Sequence, residues 1–276
     1  MPTFIGNCFE VLSQIRYGIN DFSTAKVQGT DATGAFLNEE LTRYINNAQN
    51  RLWAILFEQF PEYFMKSASI TFASSVATLP ADCFKIREIS DSAGYPFKPI
   101  AVDQRHILGS GSKYGYYRYG NTLRIDQDGI NDTGMIWYYW QCRELDTGMT
   151  SAGGAGSATL ATTSKAIADY YNGMMIENVT DSAVDTITDY SAARVATVSN
   201  TWAASKYYGI VSELPTIFHP LIPDYALIQL KKNPKSPVAV TTADVSLFDQ
   251  MLMSAMKSFA GTQNSDVDLN AMINDF

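Results

Sequence analysis

Apolar residues recur at Leu37, Leu41, Tyr44, Ile45, Ala48, Leu52, Ile55, Leu56 and Phe60. That spacing is the 3.6-residue period of an α-helix, and it predicts one long helix over residues 36–60 with an apolar side. Asn38 is placed to accept free N–H groups of the first turn. Glu39 and Glu40 sit where the helix dipole favours negative charge, and Pro61 ends the ladder for want of an N–H. The opposite side carries Asn46, Asn47, Gln49, Asn50, Arg51 and Glu58, polar but short of charge. A side that faces only water usually carries more Lys and Glu. Two readings stand: the core helix of a monomer, or a helix packed against neighbours on more than one side.

Around this helix the pattern predicts further elements. Residues 4–18 form a short helix with Phe4, Cys8, Val11, Leu12 and Ile15 on one side, and 20–35 form a loop of Gly, Thr, Ser and Asp. Past the long helix the period drops to two. Ile70 and Phe72 alternate with polar residues as in a strand, Leu79-Pro80-Ala81-Asp82 makes a turn, and Phe84, Ile86 and Ile89 mark a second strand or edge element. A turn over 91–99, a helical turn over 103–108 and a flexible 109–115 follow. Residues 116–119, the Gly120-Asn121 turn, 122–126, the Asp128-Gly129 turn and 135–141 then read as a meander. Its last strand is apolar and aromatic on both faces, so cover on both sides is expected.

Composition breaks at 147–157, TGMTSAGGAGS, which reads as a linker. Five short runs over 158–211 predict a small all-β module. Helical text returns at 223–232. Thr241 and Asp244 have capping-box spacing for a last helix whose apolar side is Val245, Phe248, Leu252, Ala255, Met256 and Phe259, ending at Gly261. The final stretch is acidic, with isolated anchors Val267, Leu269, Met272, Ile273 and Phe276. It is either a frayed end or a segment that orders on a partner. The expected fold class is α+β, a helical core with a β meander interrupted by a small all-β inserted domain. The expected division is 1–148 plus 214–262 as core, 149–213 as the insert and 263–276 as an extended tail.

Net charge is −8, and charged residues make up only 17% of a chain with 16 Tyr and 14 Phe. Such a surface suits burial against partners. The acidic balance argues against ordinary nucleic-acid binding, which needs Lys and Arg to neutralise phosphates, and no run of basic residues interleaves with aromatics. Cys8, Cys83 and Cys142 are odd in number and far apart, with no CxxC pair, so a reducing site of synthesis is expected. No basic-then-apolar leader is visible, and no apolar run approaches the ~20 residues that span a bilayer.

Motifs for chemistry are absent or weak. His106 and His219 lie at no ligand spacing from each other or from cysteine. GSGSKYG at 109–115 lacks the Lys-Ser/Thr of a phosphate loop, and IDQDGIND at 125–132 reads as a hairpin turn, its Gly too early for a calcium loop. Asp181 with Asp185 and Glu39 with Glu40 have no reason to act as acid/base pairs, and no G-x-S-x-G elbow exists. No enzyme, cofactor or metal is expected.

Several stretches carry a family likeness. FLNEEL at 36–41, INNAQ at 45–49, FPEYFMKSASITF, LPADCFKIREI, YYRYGNTLRIDQDG, MIWYYWQCRELD and LPTIFHPLIPDYALIQL together resemble the head-to-tail adaptor (connector, head-completion) proteins of tailed bacteriophages. The likeness covers about 1–148 and 214–260. Residues 158–211 resemble a small β domain that recurs as an insert in phage structural proteins, departing from it at Asp181-Ser182-Ala183, where a longer Gly-rich turn is usual. The resemblance implies a structural virion protein of the head–tail neck, made in the host cytoplasm. It implies a ring, commonly of twelve subunits, that docks beneath the portal protein, meets the tail (nozzle) protein and continues the DNA channel. DNA passes without specific binding, no membrane is involved, and tail fibres are a further partner. It places subunit contacts on the long helix at Tyr44, Ala48, Arg51, Leu52 and Ile55. It places portal docking on the tail at Val267, Leu269, Met272, Ile273 and Phe276. The alternative is a tail-completion or fibre-anchoring virion protein whose β domain binds a fibre or a cell-surface glycan.

Overall fold

The computed structural model describes residues 6–21, 36–101, 103, 115–127 and 129–263. The fold is α+β. Two compact units are present: Met1–Ile55 with Cys142–Phe276, and Leu56–Gln141.

The chain opens with helix α1 (Cys8–Gly18) and helix α2 (Asn38–Gln59). The Asn7 side chain caps α1 by accepting from Glu10 N at 2.9 Å. Cys8, Val11, Leu12 and Ile15 are buried as the period predicts, and Phe4 lies outside the described residues. Along α2 the predicted apolar side is buried from Leu41 to Phe60 except at the half-buried Tyr44, while Leu37 stays 48% exposed. The expected cap at Asn38 is not formed. Its side-chain oxygen accepts from Arg16, through Nε at 3.1 Å and through Nη2. Arg16 is buried and also donates to Asp21 and the Phe36 carbonyl, because a buried guanidinium must fill its donors. The first turn of α2 is closed by Glu40, which accepts from Leu37 N at 3.0 Å.

The unit Leu56–Gln141 contains β1 (Met65–Phe72), β2 (Val76–Thr78), β3 (Cys83–Ser90), β4 (Lys98–Pro99), β5 (Gly115–Tyr119), β6 (Thr122–Ile125) and β7 (Asp132–Trp140). They form two sheets, ordered β1-β7-β3 and β2-β6-β5-β4, antiparallel except for the parallel pair β4–β5. The expected β5–β6 hairpin is present over Gly120-Asn121, but the meander is not. β7 leaves β6 and enters the other sheet between β1 and β3. The place beside β6 is taken by β2, which a two-residue turn brings back from β1. Ser74 and Ser75 make that turn with φ of 49° and 68°, the mirror-image geometry that tight hairpins use. Along β7 burial alternates: Gly134, Ile136, Tyr138 and Trp140 face inward, while Met135 and Trp137 remain 39% and 41% exposed. Among the described residues the outward face is covered only in part: Phe57 sits 5.4 Å from Tyr139, while Met135 and Trp137 stay open. Inside, the Phe64 ring lies 5.0 Å from Trp140.

The other unit adds β8 (Thr147–Met149), β9 (Ala152–Thr159), β10 (Met175–Asn178), β11 (Ala183–Thr186), β12 (Asp189–Tyr190), β13 (Val195–Thr201) and β14 (Tyr207–Ile210). Their sheets run β11-β10-β14-β8 and β12-β13-β9. The expected linker at 147–157 is thus strand. Its small residues serve close packing, since a Cβ on Gly153 would lie 2.6 Å from the Trp202 carbonyl oxygen. The start of α1 lies on β14 for the same reason: a Cβ on Gly209 would meet Asn7 Oδ1 at 2.7 Å. Helix α3 (Leu221–Lys231) and helix α4 (Thr242–Gln263) close the unit. The capping box of α4 is reciprocal, Asp244 N donating to Thr241 Oγ1 at 3.2 Å and Thr241 N to Asp244 Oδ2 at 2.8 Å. α4 continues through Gly261 to Gln263.

Gly134 is the tightest point of the β1-β7-β3 sheet, where a Cβ would fall 1.9 Å from the Ser90 carbonyl oxygen. Gly134→Ala forces β3 and β7 apart and is expected to cost about 1–3 kcal/mol or more, read as a lowered denaturation midpoint at unchanged slope.

Candidate functional site

The polar side of α2 is occupied by its own chain. Asn46 Nδ2 donates to the Leu145 carbonyl at 3.0 Å, and Leu145 N donates back to Asn46 Oδ1 at 2.7 Å. One turn on, Gln49 Nε2 donates to the Arg143 carbonyl at 2.8 Å, and Ser212 Oγ donates to Gln49 Oε1 at 2.6 Å. Amides suit this role because each offers a donor and an acceptor, as a backbone does. The stretch held this way carries Arg143, whose fork meets Glu213 through Nε at 3.1 Å and Nη2 at 2.6 Å. Its Nη1 donates to the carbonyls of Tyr170 and Asn172.

Beside it, the buried Asp146 carboxylate accepts from the Ser164 hydroxyl and from Tyr208 OH at 2.6 Å. Burial pushes the Asp146 carboxyl up and the Tyr208 phenol well up. Asp146 borders an open groove of about 340 Å3 with Asn38, Thr42, Arg43, Asn46 and Lys165. The Ser164 hydroxyl donates to the carboxylate, and among the described residues no imidazole stands beside it, so the cluster reads as a hydrogen-bonded staple. His219 is buried, with Nε2 at 2.8 Å from the Leu214 carbonyl oxygen, and burial lowers its pKa. Among the described residues, no group of three or more His, Cys, Asp or Glu converges as a metal site.

Asp185 gathers the densest donor shell. Its Oδ1 accepts from Ser199 N, Ser199 Oγ, Asn200 N and Asn200 Nδ2, and its Oδ2 accepts from Trp202 Nε1 at 2.8 Å. Burial pushes this carboxyl up, but the hydrogen bonds from Ser199, Trp202 and Asn200 outweigh it and hold it below the usual carboxylate range. The spacing to Asp181 signified no acid/base pair: Asp181 binds Lys206 and Asn178 instead.

These networks hold a scaffold together, and the sequence as a whole says which scaffold. It matches the SU10 adaptor protein family over residues 8–272. The chain belongs to that family. The adaptor is accordingly a structural protein of the phage virion that works with head and tail components, in a family that is structural and not catalytic. No curated protein matches it.

Of the residues assigned to subunit contacts, the adaptor buries Ala48, Leu52 and Ile55 in its own interior, at 0%, 0% and 4% exposure. Tyr44 is half-buried, its hydroxyl accepting from Asn233 Nδ2 at 2.8 Å, and Arg51 is exposed. A helical period identifies an apolar side without saying whose atoms cover it. The tail anchors Val267, Leu269, Met272, Ile273 and Phe276 lie outside the described residues, as do His106 and Asp128. Sequence reasoning missed the open apolar side chains Met135 and Trp137, for which the alternation in DTGMIWYYW was the available signal, and the exposure of Phe84 on β3.

Arg143→Met leaves the part-buried Glu213 without its cation and the carbonyls of Tyr170 and Asn172 without their donor, and should cost about 1–3 kcal/mol in chemical denaturation. Asp185→Asn turns an amide toward donors and should cost about 1–3 kcal/mol at neutral pH. A carboxyl with a lowered folded pKa stabilises above its unfolded pKa of about 3.9 and loses that contribution as pH falls through the folded value. The wild-type and Asp185→Asn melting temperatures should therefore converge as the solution is acidified below that point.

Proposed function

We propose that the adaptor forms a ring beneath the portal, twelve copies by family likeness, that joins capsid to tail and continues the DNA channel at the virion neck. The observation that carries this is the family match across nearly the whole chain. The charge supports it: −8 per subunit gives a twelve-fold ring a formal charge on the order of −100, which repels phosphates and lets DNA slide. The open side of the β1-β7-β3 sheet, with Trp137 and Met135, supports burial against other chains. Tyr44 and Arg51 remain the candidates for subunit contact on α2. Residues 149–213 act as an inserted module, a platform on which fibres could dock, and 263–276 dock onto the portal through Val267, Leu269, Met272, Ile273 and Phe276.

Deleting 263–276 spares the apolar side of α4, including Met256 and Phe259. The truncated chain should melt close to wild type and no longer co-sediment with portal. Equal co-sedimentation removes the tail from the docking role, and negative-stain images of the portal mixture without ring density remove the ring.

A further inference from the structure

The acidity of the adaptor is unevenly distributed. Leu56–Gln141 holds eight Lys and Arg against nine Asp and Glu, while the rest of the chain holds twelve against nineteen. Within the first of these, residues 104–125 contain four Lys and Arg and no carboxylate.

The described part of that stretch is the β5–β6 hairpin. In the β2-β6-β5-β4 sheet Tyr117 pairs with Arg124 and Tyr119 with Thr122. Val76 pairs with Arg124 and Thr78 with Thr122, while Lys98 lies opposite Gly115. Residues directly opposite share a face and side chains alternate along a strand. One face therefore presents Lys98, Tyr117, Tyr119, Thr122, Arg124 and Thr78. Tyr119 is 66% exposed, and the Arg124 guanidinium lies over its ring at 5.6 Å. Lys98 and Arg124 are exposed, and among the described residues neither has a carboxylate at ion-pairing distance. In the neighbouring sheet Lys66 is paired with Asp82 and Arg87 with Glu62, while Lys85 has no carboxylate at ion-pairing distance among the described residues. Asp126 follows on the same face at the end of β6, its N donating to the Gly115 carbonyl at 2.8 Å, and it is the acid that this face carries among the described residues of β6.

The hairpin is held stiffly. Arg118 donates to the carbonyls of Gly120, Phe84 and Cys83, so its charge is solvated by carbonyls, and among the described residues it has no carboxylate at ion-pairing distance. The Thr122 hydroxyl donates to the Tyr119 carbonyl at 2.7 Å. What remains open to solvent is an ammonium, a guanidinium and the Tyr119 phenol, with Tyr117 half-buried beside them. The ligand such a set fits is acceptor-only, anionic and repeating, and Lys, Arg and Tyr are among the side chains that contact phosphate oxygens in duplex DNA without reading sequence.

We propose that this face, through Lys98, Arg124 and Tyr119, touches the phosphodiester backbone of duplex DNA, a local exception on a chain that otherwise repels it. The proposed ring reading supplies the DNA, and the inference rests on it only for that. Two cations per chain give weak, salt-sensitive and sequence-independent contact, which suits a strand that must keep moving.

The test is fluorescence anisotropy of a labelled random-sequence duplex with the purified full-length chain over a series of salt concentrations. Wild type should bind at low ionic strength and release as salt rises. The double variant Lys98→Ala with Arg124→Ala should bind more weakly, with a slope of log K against log salt shallower by about 2. Lys98→Glu alone should weaken binding further than Lys98→Ala, while Lys257→Ala, an exposed cation on α4, should leave it unchanged. The proposal is overturned by no binding of wild type at low salt, by a double variant that binds like wild type, or by an equal loss in Lys257→Ala. Circular dichroism checks that each variant is folded. The assay needs no ring, so a negative result removes the DNA contact and leaves the ring to be judged by the portal experiments.

Discussion

Two amide side chains on α2 stand in for a β-strand, and much of the larger unit depends on them. Asn46 and Gln49 engage the backbone of Leu145 and Arg143, groups that no sheet neighbour satisfies at that point. Each such bond is worth only about 1 kcal/mol net, but an orphaned buried partner costs about 1–3 kcal/mol, so the set is retained as a whole. Fixing residues 143–145 in turn aims Arg143 at Glu213 and at the carbonyls of Tyr170 and Asn172. One helix face thereby ties together parts of the chain that are far apart in sequence.

The same logic runs through the other buried polar groups. Arg16 takes Asp21, Asn38 and the Phe36 carbonyl; Asp146 takes Ser164 and Tyr208; Asp185 takes two backbone amides and three side chains. In an enzyme, residue types like these would be left with an unfilled valence toward a substrate. Here the hydrogen bonds are closed among protein groups, which rigidifies the interior.

Periodicity made the helices legible. Leu41, Ile45, Ala48 and Leu52 could be placed inward, and the Thr241–Asp244 box marked the start of α4 to within a residue. The run at 195–201 was legible as a strand from its β-branched content. Partners were not. Nothing local to β7 says that it will skip β6, because that choice was made by β2, whose Ser74-Ser75 turn lacks the Asn-Gly signature. The Gly-rich text of β9 resembles a linker because the reason for its glycines is the backbone at Trp202, which in sequence terms lies beyond any local window of Gly153. The donors at Lys98, Tyr119 and Arg124 escaped a search for basic runs because strand pairing, not adjacency, gathers them.

Of the four tryptophans, Trp53, Trp140 and Trp202 are buried, at 5%, 6% and 2% exposure, and Trp137 alone is open at 41%. Indole emission shifts to the blue when water leaves the ring. The polypeptide thus carries a native optical probe on its barest sheet, and any molecule that settles there announces itself without a label.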